Sequence, residues 1–159
     1  MKYETAKKIG EEVLEQIKPY IIKGEIAGSI RRKKPEVHDI DLVIIPKNEF
    51  MIMGNIKSAL KSFGKFEMKG YQILRVKGKN DEKIDCYIAN EKNYEVLILI
   101  RTGSVNHNIK LAKKAISLGM KLDFSKGLVN SKTRKVIANT EKTIFEILNM
   151  AYVEPENRY

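Results

Sequence analysis

The residues best suited to chemistry are two aspartates that begin a strand-forming run. Asp39 and Asp41 are separated by one residue, and the run from 40 to 45 is rich in β-branched side chains. Alternate side chains of a strand project from the same face, so the two carboxylates are expected to stand side by side. Adjacent carboxylates repel each other unless a cation neutralises them, and oxygen ligands of this kind suit Mg²⁺. The pattern predicts a divalent metal site.

A third carboxylate, Asp85, lies among strand-forming neighbours in a second run. Three aspartates on neighbouring strands can hold two metal ions about 3.5–4 Å apart, the arrangement that promotes in-line phosphoryl transfer. The alternative is a solvated beginning of a strand, with Asp39 and Asp41 paired to the basic residues 31–34. The catalytic interpretation requires Asp85 to lie on the same face of the sheet as the other two.

A Gly-Ser pair precedes the aspartates by nine residues. Gly28 allows the backbone to approach a ligand closely, and Ser29 at a helix start would offer its hydroxyl and free N–H groups to a phosphate. Arg31 and Arg32 add positive charge. The alternative is an ordinary helix cap. Together with the three aspartates, the pair favours a catalytic site for phosphoryl transfer.

The remaining pattern predicts an α/β fold with a mixed sheet. Helices are expected over 3–18, 49–63, 104–118 and 140–150; strands over 20–28, 40–45, 65–68, 71–77 and 83–89; and a β pair over 121–136. Ile109, Ala112 and Ile116 form an apolar stripe on the third helix, and Thr140 caps the fourth. Residues 93–100 are apolar enough for a strand or a helix, and both readings stay open.

The charge of the chain favours a polyanionic partner. Its 159 residues carry a net charge of +10, and residues 101–159 hold 11 basic against 5 acidic residues. A lysine-rich composition that only aids solubility is the alternative. No apolar run is long enough to span a membrane, and the single cysteine, Cys86, suits a reducing compartment. An intracellular protein of a microbe or a virus is expected, with no membrane partner.

Four segments resemble a known family: AGSIRRKKPEVHDIDLVI, KIDCYIA, RTGSVNHN and YVEPENRY. They are similar to the palm and terminal subdomain of family X DNA polymerases, the DNA polymerase beta type. The resemblance implies a nucleotidyltransferase-type palm over residues 1–100, with a mixed sheet flanked by helices. Residues 101–159 would form a small helical nucleotide- and DNA-binding subdomain with a short β element. The layout resembles the reduced palm-plus-thumb members found in viruses.

The resemblance also implies roles for individual residues. Asp39 and Asp41 would bind both metal ions, while Asp85 would hold the catalytic ion and help to activate the primer 3′-hydroxyl. The implied nucleotide-binding residues are Gly28, Ser29, Arg32, Gly103, Ser104 and Asn108. Lys83 would lie near the primer terminus. Lys110, Lys113 and Lys114 are spaced to contact template phosphates, or else form a solvated helix face.

The sequence departs from the family pattern at three places. Ile100-Arg101 stands where the family has an aromatic pair, His107 replaces an aromatic residue before Asn108, and Lys33 replaces a glycine. The first departure concerns the usual steric check on the ribose 2′ position.

The expected function is template-directed addition of deoxynucleotides to a primer 3′-end in short-gap DNA repair. It would use two Mg²⁺ ions, with Mn²⁺ as a substitute, and act as a monomer on a primer-template or gapped duplex with deoxynucleoside triphosphates. One alternative is an untemplated nucleotidyltransferase acting on RNA, a small molecule or a protein. The other is a non-catalytic nucleic-acid-binding relic.

Overall fold

The computed structural model describes the whole chain, Met1 to Tyr159, as two sheets with surrounding helices. The helices are α1 (Tyr3–Ile17), α2 (Gly28–Arg31), α3 (Ile52–Lys61), α4 (Tyr94–Thr102), α5 (Val105–Ser117) and α6 (Glu141–Ile147). The strands are β1 (Ile21–Ile26), β2 (Asp39–Pro46), β3 (Gly64–Lys69), β4 (Ile73–Gly78), β5 (Lys83–Ile88), β6 (Met120–Asp123), β7 (Gly127–Asn130) and β8 (Val136–Ala138). None of the helices is long and apolar enough to cross a membrane.

The larger sheet is mixed and has the strand order β1-β2-β5-β4-β3. Strands β2 and β5 pair in parallel, whereas β1 and β4 flank them in antiparallel pairing and β3 forms the far edge. A parallel pair cannot be joined by a tight turn, so residues 47–82 form the connection and supply α3, β3 and β4. The expected α/β fold with a mixed sheet is confirmed.

The larger sheet is covered on both faces. One face carries Ile40, Leu42 and Ile84 into a core with α1 and α3. The other face carries Val43 and Tyr87 into a smaller core with α4. The alternation of β2 and β5 side chains between the two cores fixes which residues share a face.

The segment 93–100, for which the sequence allowed a strand or a helix, lies almost entirely in helix α4. Its Tyr94 and Ile98 pack on the larger sheet, while Val96, Leu99 and Ile100 belong to the core of the C-terminal part. A helix that is apolar on opposite sides loses the helical periodicity that would reveal it. The boundary expected near residue 101 therefore falls within a helix that both parts share.

Two details of the C-terminal part differ from expectation. The expected β pair is a three-stranded sheet, β6-β7-β8. The stripe formed by Ile109, Ala112 and Ile116 does not carry the core of α5, because Ile109 and Ile116 are exposed. The buried face of α5 consists of His107, Leu111 and Ala115, which lie one helical turn apart.

A buried ionic cluster around Glu141 joins the two parts. Arg31 of α2 donates two hydrogen bonds to the Glu141 carboxylate, at 2.8 and 3.0 Å, and Arg158 donates a third at 2.7 Å. Tyr152 donates its hydroxyl at 3.2 Å. Burial alone would raise the pKa of Glu141, but the hydrogen bonds and charges of Arg31 and Arg158 hold that pKa below its usual range.

Replacing Glu141 with alanine should destabilise the fold strongly. The change leaves the fully buried Arg158 and the partly buried Arg31 without their counter-charge, which costs about 3–5 kcal/mol in the free energy of unfolding. The measurement is urea unfolding followed by circular dichroism.

Glu146→Ala provides the matched control on the same helix. Glu146 is exposed and its contact with Lys142 is a long 3.9 Å, so its loss should change the free energy of unfolding by less than about 0.5 kcal/mol. Equal effects of the two variants would show that the Glu141 cluster does not stabilise the fold.

Candidate active site

Strand pairing brings the three aspartates together on one face of the larger sheet. Asp41 lies directly opposite Asp85 in the parallel pair of β2 and β5, and Asp39 is two residues before Asp41. Their neighbours Ile40, Leu42 and Ile84 point into the core with α1 and α3, so the carboxylates project from the other face, the one that α4 covers farther along the strands.

The negative charge of Asp41 is only partly compensated by its surroundings. Burial raises the pKa of Asp41 to about 7, and repulsion from Asp85 and Asp39 adds to the rise, while Arg101 and the Tyr87 hydroxyl oppose it. Asp39, by contrast, is exposed to solvent. The positive charge near Asp41 is therefore too small to offset the burial and repulsion of its carboxylate.

Asp85 is buried and already has a cationic partner. The Arg75 guanidinium, on β4, donates one hydrogen bond to each Asp85 carboxylate oxygen, both at 2.6 Å. The Tyr87 hydroxyl donates to Oδ2 at 3.2 Å. This bidentate pair is the strong form of an ion pair. A cation that binds Asp85 must therefore displace Arg75 or share the carboxylate with it.

The Gly-Ser turn lies against the Asp41 carboxylate. The Ala27 N–H donates to the Asp41 carbonyl at 2.8 Å, and Gly28 begins α2 with a φ of +59°. A side chain at Gly28 would collide with the Asp41 carboxylate, so only glycine fits. Ser29, half-buried in α2, follows immediately. The turn and the carboxylates thus form one continuous surface.

Arg32 ties this surface to the end of α4. It donates a hydrogen bond to the Thr102 carbonyl oxygen, next to Gly103. Burial lowers the pKa of Arg32, whereas the Asp41 charge opposes that effect. Arg32 therefore lies between the carboxylates and the Gly103-Ser104 turn.

The residues expected to contact the sugar and base have structural partners. Ser104 caps α5, since its hydroxyl accepts the His107 N–H at 3.2 Å. Asn108 donates its side-chain N–H to the Ile100 carbonyl at 2.9 Å, and its Oδ1 atom is buried without a partner. The Asn108 side chain therefore keeps an unused acceptor.

His107 is buried and neither ring nitrogen has a hydrogen-bond partner. Burial lowers the pKa of His107 to about 4, and the Arg158 charge adds to this effect. The ring lies 5.7 Å from the Phe145 ring, between centroids. A neutral, unpaired imidazole in this place fills an aromatic position.

The expected DNA-contacting lysines fall in two places. Lys83 is exposed and lies opposite Asp39 in the parallel strand pair. Lys110 and Lys113 are exposed on α5, and Lys114 is half-buried there. Only Lys83 adjoins the carboxylates through strand pairing.

Sequence reasoning missed Arg75, Tyr87 and Arg101. Arg75 and Asp85 are equally distant from Asn80, at the turn joining β4 and β5, so hairpin register would have placed them opposite each other. Tyr87 is two residues after Asp85 and shares its face. The Arg101 guanidinium lies 4.0 Å from the Tyr87 ring centroid, a contact between distant segments that has no local signature.

In this arrangement no three His, Cys, Asp or Glu side chains are grouped closely enough to hold a metal ion. Arg75 engages both Asp85 oxygens, whereas neither Asp39 nor Asp41 forms an ion pair. The site thus consists of two carboxylates without an ion pair, Asp39 and Asp41, and a third, Asp85, that is paired with Arg75.

Asp41→Asn should stabilise the protein at alkaline pH when divalent cations are absent. The pKa of folded Asp41 is raised from 3.8 to about 7, so the folded state binds more protons between those values and stability falls as pH rises through that window. Removing the charge should restore about 2–4 kcal/mol above pH 7.

Urea unfolding in EDTA at pH 5 and pH 8 measures this effect. Asp81→Asn, in an exposed turn, serves as the control and should show no such gain. A parent protein whose stability does not fall between the two pH values would contradict the assignment.

Comparison with known proteins agrees with this architecture. The DNA polymerase beta thumb family matches residues 97–159. The chain is 28% identical over 125 residues to the DNA polymerase/3′-5′ exonuclease PolX of Bacillus subtilis (strain 168). The aligned region covers 74% of this chain. The match spans only 21% of that protein, so the chain corresponds to about a fifth of its relative.

A solved structure shares the fold over the full chain. It is the Leishmania infantum polymerase beta in a ternary P/T complex, with a TM-score of 0.84, 20% identity, and coverage of 100% of this chain and 76% of that one. At this level of identity the likeness concerns the fold. Taken together, these matches show that the chain is similar to family X DNA polymerases, that residues 97–159 match the DNA polymerase beta thumb, and that the fold is that of a polymerase beta.

Proposed function

We propose that this protein is a template-directed DNA polymerase that adds deoxynucleotides to a primer 3′-end, with short-gap filling in DNA repair as its setting. The observation that carries the proposal is the pairing of Asp41 with Asp85 beside Asp39, on the face that also holds the Gly28-Ser29 turn. Two-metal phosphoryl transfer needs carboxylate ligands next to a phosphate-binding turn, and the three aspartates and Gly28-Ser29 are the candidates for these two roles.

Each residue of the site has a proposed role that follows from its position. Gly28 and Ser29 offer backbone N–H groups and a hydroxyl to the incoming triphosphate, and Arg32 places a guanidinium between them and Gly103. Asp85, buried and opposite Asp41, would accept a proton from the primer 3′-hydroxyl once Arg75 moves away from its carboxylate. The Asn108 Oδ1 atom is buried without a partner, so it would have to become exposed before it could meet a polar group at the nucleotide.

The donor set fits Mg²⁺ in part as it stands. Asp39 and Asp41 supply carboxylate oxygens, and the charge of Arg101 only partly offsets that of Asp41, so a divalent cation would find negative charge there. Asp85 joins them once Arg75 moves away from its carboxylate. When bound, Mg²⁺ supplies the positive charge that offsets these carboxylates and the phosphate oxygens.

Primer extension on a duplex with a one-nucleotide gap tests the proposal. The incorporated nucleotide should follow the template base when each of the four deoxynucleotides is offered in turn with Mg²⁺. Asp41→Asn and Asp85→Asn should each lower the rate at least about 10²–10³-fold, because charge stabilisation of the transition state is lost. Binding of the gapped duplex should persist in both variants.

Asp81→Asn is the matched control, because Asp81 is an exposed aspartate in the turn between β4 and β5. Its extension rate should equal that of the parent. Incorporation that ignores the template base would replace the proposal with an untemplated transferase, and a parent that binds DNA without extending it would indicate a relic.

Arg75→Ala should expose Asp85 to divalent cations. The variant leaves a buried carboxylate unpaired, which costs about 2–3 kcal/mol in EDTA. Added Mg²⁺ or Ca²⁺ should recover that loss, since a ligand that binds only the folded state stabilises it. The measurement is thermal unfolding with and without the cation. The cation should raise the unfolding temperature more in Arg75→Ala than in the parent.

The double variant Arg75→Ala with Asp85→Asn keeps the space but removes the ligand. Its cation-induced shift should drop below that of Arg75→Ala alone. Identical shifts in the two variants would mean that Asp85 does not bind the cation.

A further inference from the structure

Tyr87 places a hydroxyl group at the point where the carboxylates of β2 and β5 meet. It lies two residues after Asp85 on β5, so its side chain projects from the same face of the sheet. The hydroxyl donates a hydrogen bond to Asp85 Oδ2 at 3.2 Å. The same hydroxyl lies near Asp41, whose pKa burial raises and the hydroxyl lowers. Tyr87 therefore interacts with both of the opposed aspartates.

The ring of Tyr87 is held from several sides. It packs with Val43 and Ile98 in the smaller core with α4, and only 8% of the residue is exposed. The Arg101 guanidinium stacks on the ring at 4.0 Å from its centroid. Because packing fixes the ring, the position of its hydroxyl is fixed as well.

Arg75, by contrast, has room to leave Asp85. The Arg75 side chain is 30% exposed, compared with 5% for the Asp85 side chain. Arg75 donates through Nε to Oδ1 and through Nη2 to Oδ2. When Arg75 moves away, Oδ1 loses its side-chain donor, whereas Oδ2 keeps the Tyr87 hydroxyl. One oxygen then becomes available to a cation while the other remains anchored.

Core packing and charge pairing do not require the hydroxyl while Arg75 is in place. The bidentate guanidinium already supplies a donor to each Asp85 oxygen and balances its charge. A phenylalanine at position 87 would fill the same space in the core. The third donor matters once Arg75 has left, because a buried carboxylate without a donor is costly and a metal-binding carboxylate is normally oriented by a hydrogen bond.

We propose that Tyr87 is a positioning residue that holds the Asp85 carboxylate in place for a divalent cation after Arg75 has left it. The use of that cation in catalysis rests on the proposed function, whereas the positioning of Asp85 rests on the contacts of Tyr87. Loss of a partner that orients a metal ligand weakens metal binding about 10–100-fold. In this role Tyr87 acts through Asp85 and supplies no ligand of its own.

Binding of Mn²⁺ in the absence of DNA and nucleotide tests this proposal. Titration calorimetry compares Arg75→Ala with the double variant Arg75→Ala and Tyr87→Phe, since removal of Arg75 uncovers Asp85 in both. Tyr87→Phe keeps the ring and removes only the hydroxyl. The dissociation constant for Mn²⁺ should rise about 10–100-fold in the double variant.

Tyr94→Phe in the same Arg75→Ala background is the matched control. Tyr94 belongs to the same core as Tyr87, and its hydroxyl also donates to a carboxylate, that of Glu25, at 3.1 Å. Glu25 lies on β1, outside the group of three aspartates. The control should bind Mn²⁺ as tightly as Arg75→Ala alone. Equal dissociation constants in the two double variants would overturn the proposal.

The single variant Tyr87→Phe gives a second readout in a protein that retains Arg75. The Mg²⁺ concentration for half-maximal primer extension should rise, and added Mg²⁺ should restore the rate. A defect of folding or packing alone would not respond to the cation in this way. An unchanged Mg²⁺ dependence, or a loss of rate that added Mg²⁺ does not reduce, would overturn the proposal.

Failure of the proposed function gives a different result. A parent that extends no primer, but whose Arg75→Ala variant needs the Tyr87 hydroxyl to bind Mn²⁺ tightly, would remove the polymerase proposal and retain the positioning role. A parent with templated extension and equal Mn²⁺ affinities in the two double variants would do the reverse.

Discussion

The parallel pairing of β2 with β5 is the constraint on which the site depends. It places Asp41 against Asp85 in register, so that two carboxylates share one sheet face with Asp39. The surrounding structure offsets the resulting repulsion in pieces. Arg75 caps Asp85, Arg101 lies close enough to lower the pKa of Asp41, and Gly28 has no side chain where the Asp41 carboxylate needs room. The remaining negative charge of Asp41 is available to a bound cation.

The sequence allowed the three aspartates to be grouped, because alternation along a strand depends only on chain geometry. It did not reveal Arg75, although the hairpin between β4 and β5 defines its position opposite Asp85. The sequence did not identify α4 as a helix, because apolar residues on both of its sides remove the helical periodicity of the pattern. The apolar stripe of α5 misled for the opposite reason: Ile109 and Ile116 are exposed, while His107 occupies the core as a neutral ring.

The two parts of the molecule share more than a connecting segment. Helix α4 contributes to the cores on both sides, and Glu141 binds Arg31 of α2 together with Arg158 near the end of the chain. Arg31 and Arg32 are adjacent, so one residue anchors the C-terminal part while the next contacts Thr102 beside Gly103. Helix α2 therefore links the C-terminal part directly to the Gly-Ser turn.

The insertion of β5 between β2 and β4 has a consequence for the order of folding. Helix α3 and the β3–β4 hairpin form from near neighbours, whereas the pairing of β5 with β2 closes a loop of residues 47–82. Contacts of such long sequence separation are slow to form. During synthesis, Asp39 and Asp41 emerge well before their partner strand, and the acidic trio comes into being only when the sheet closes.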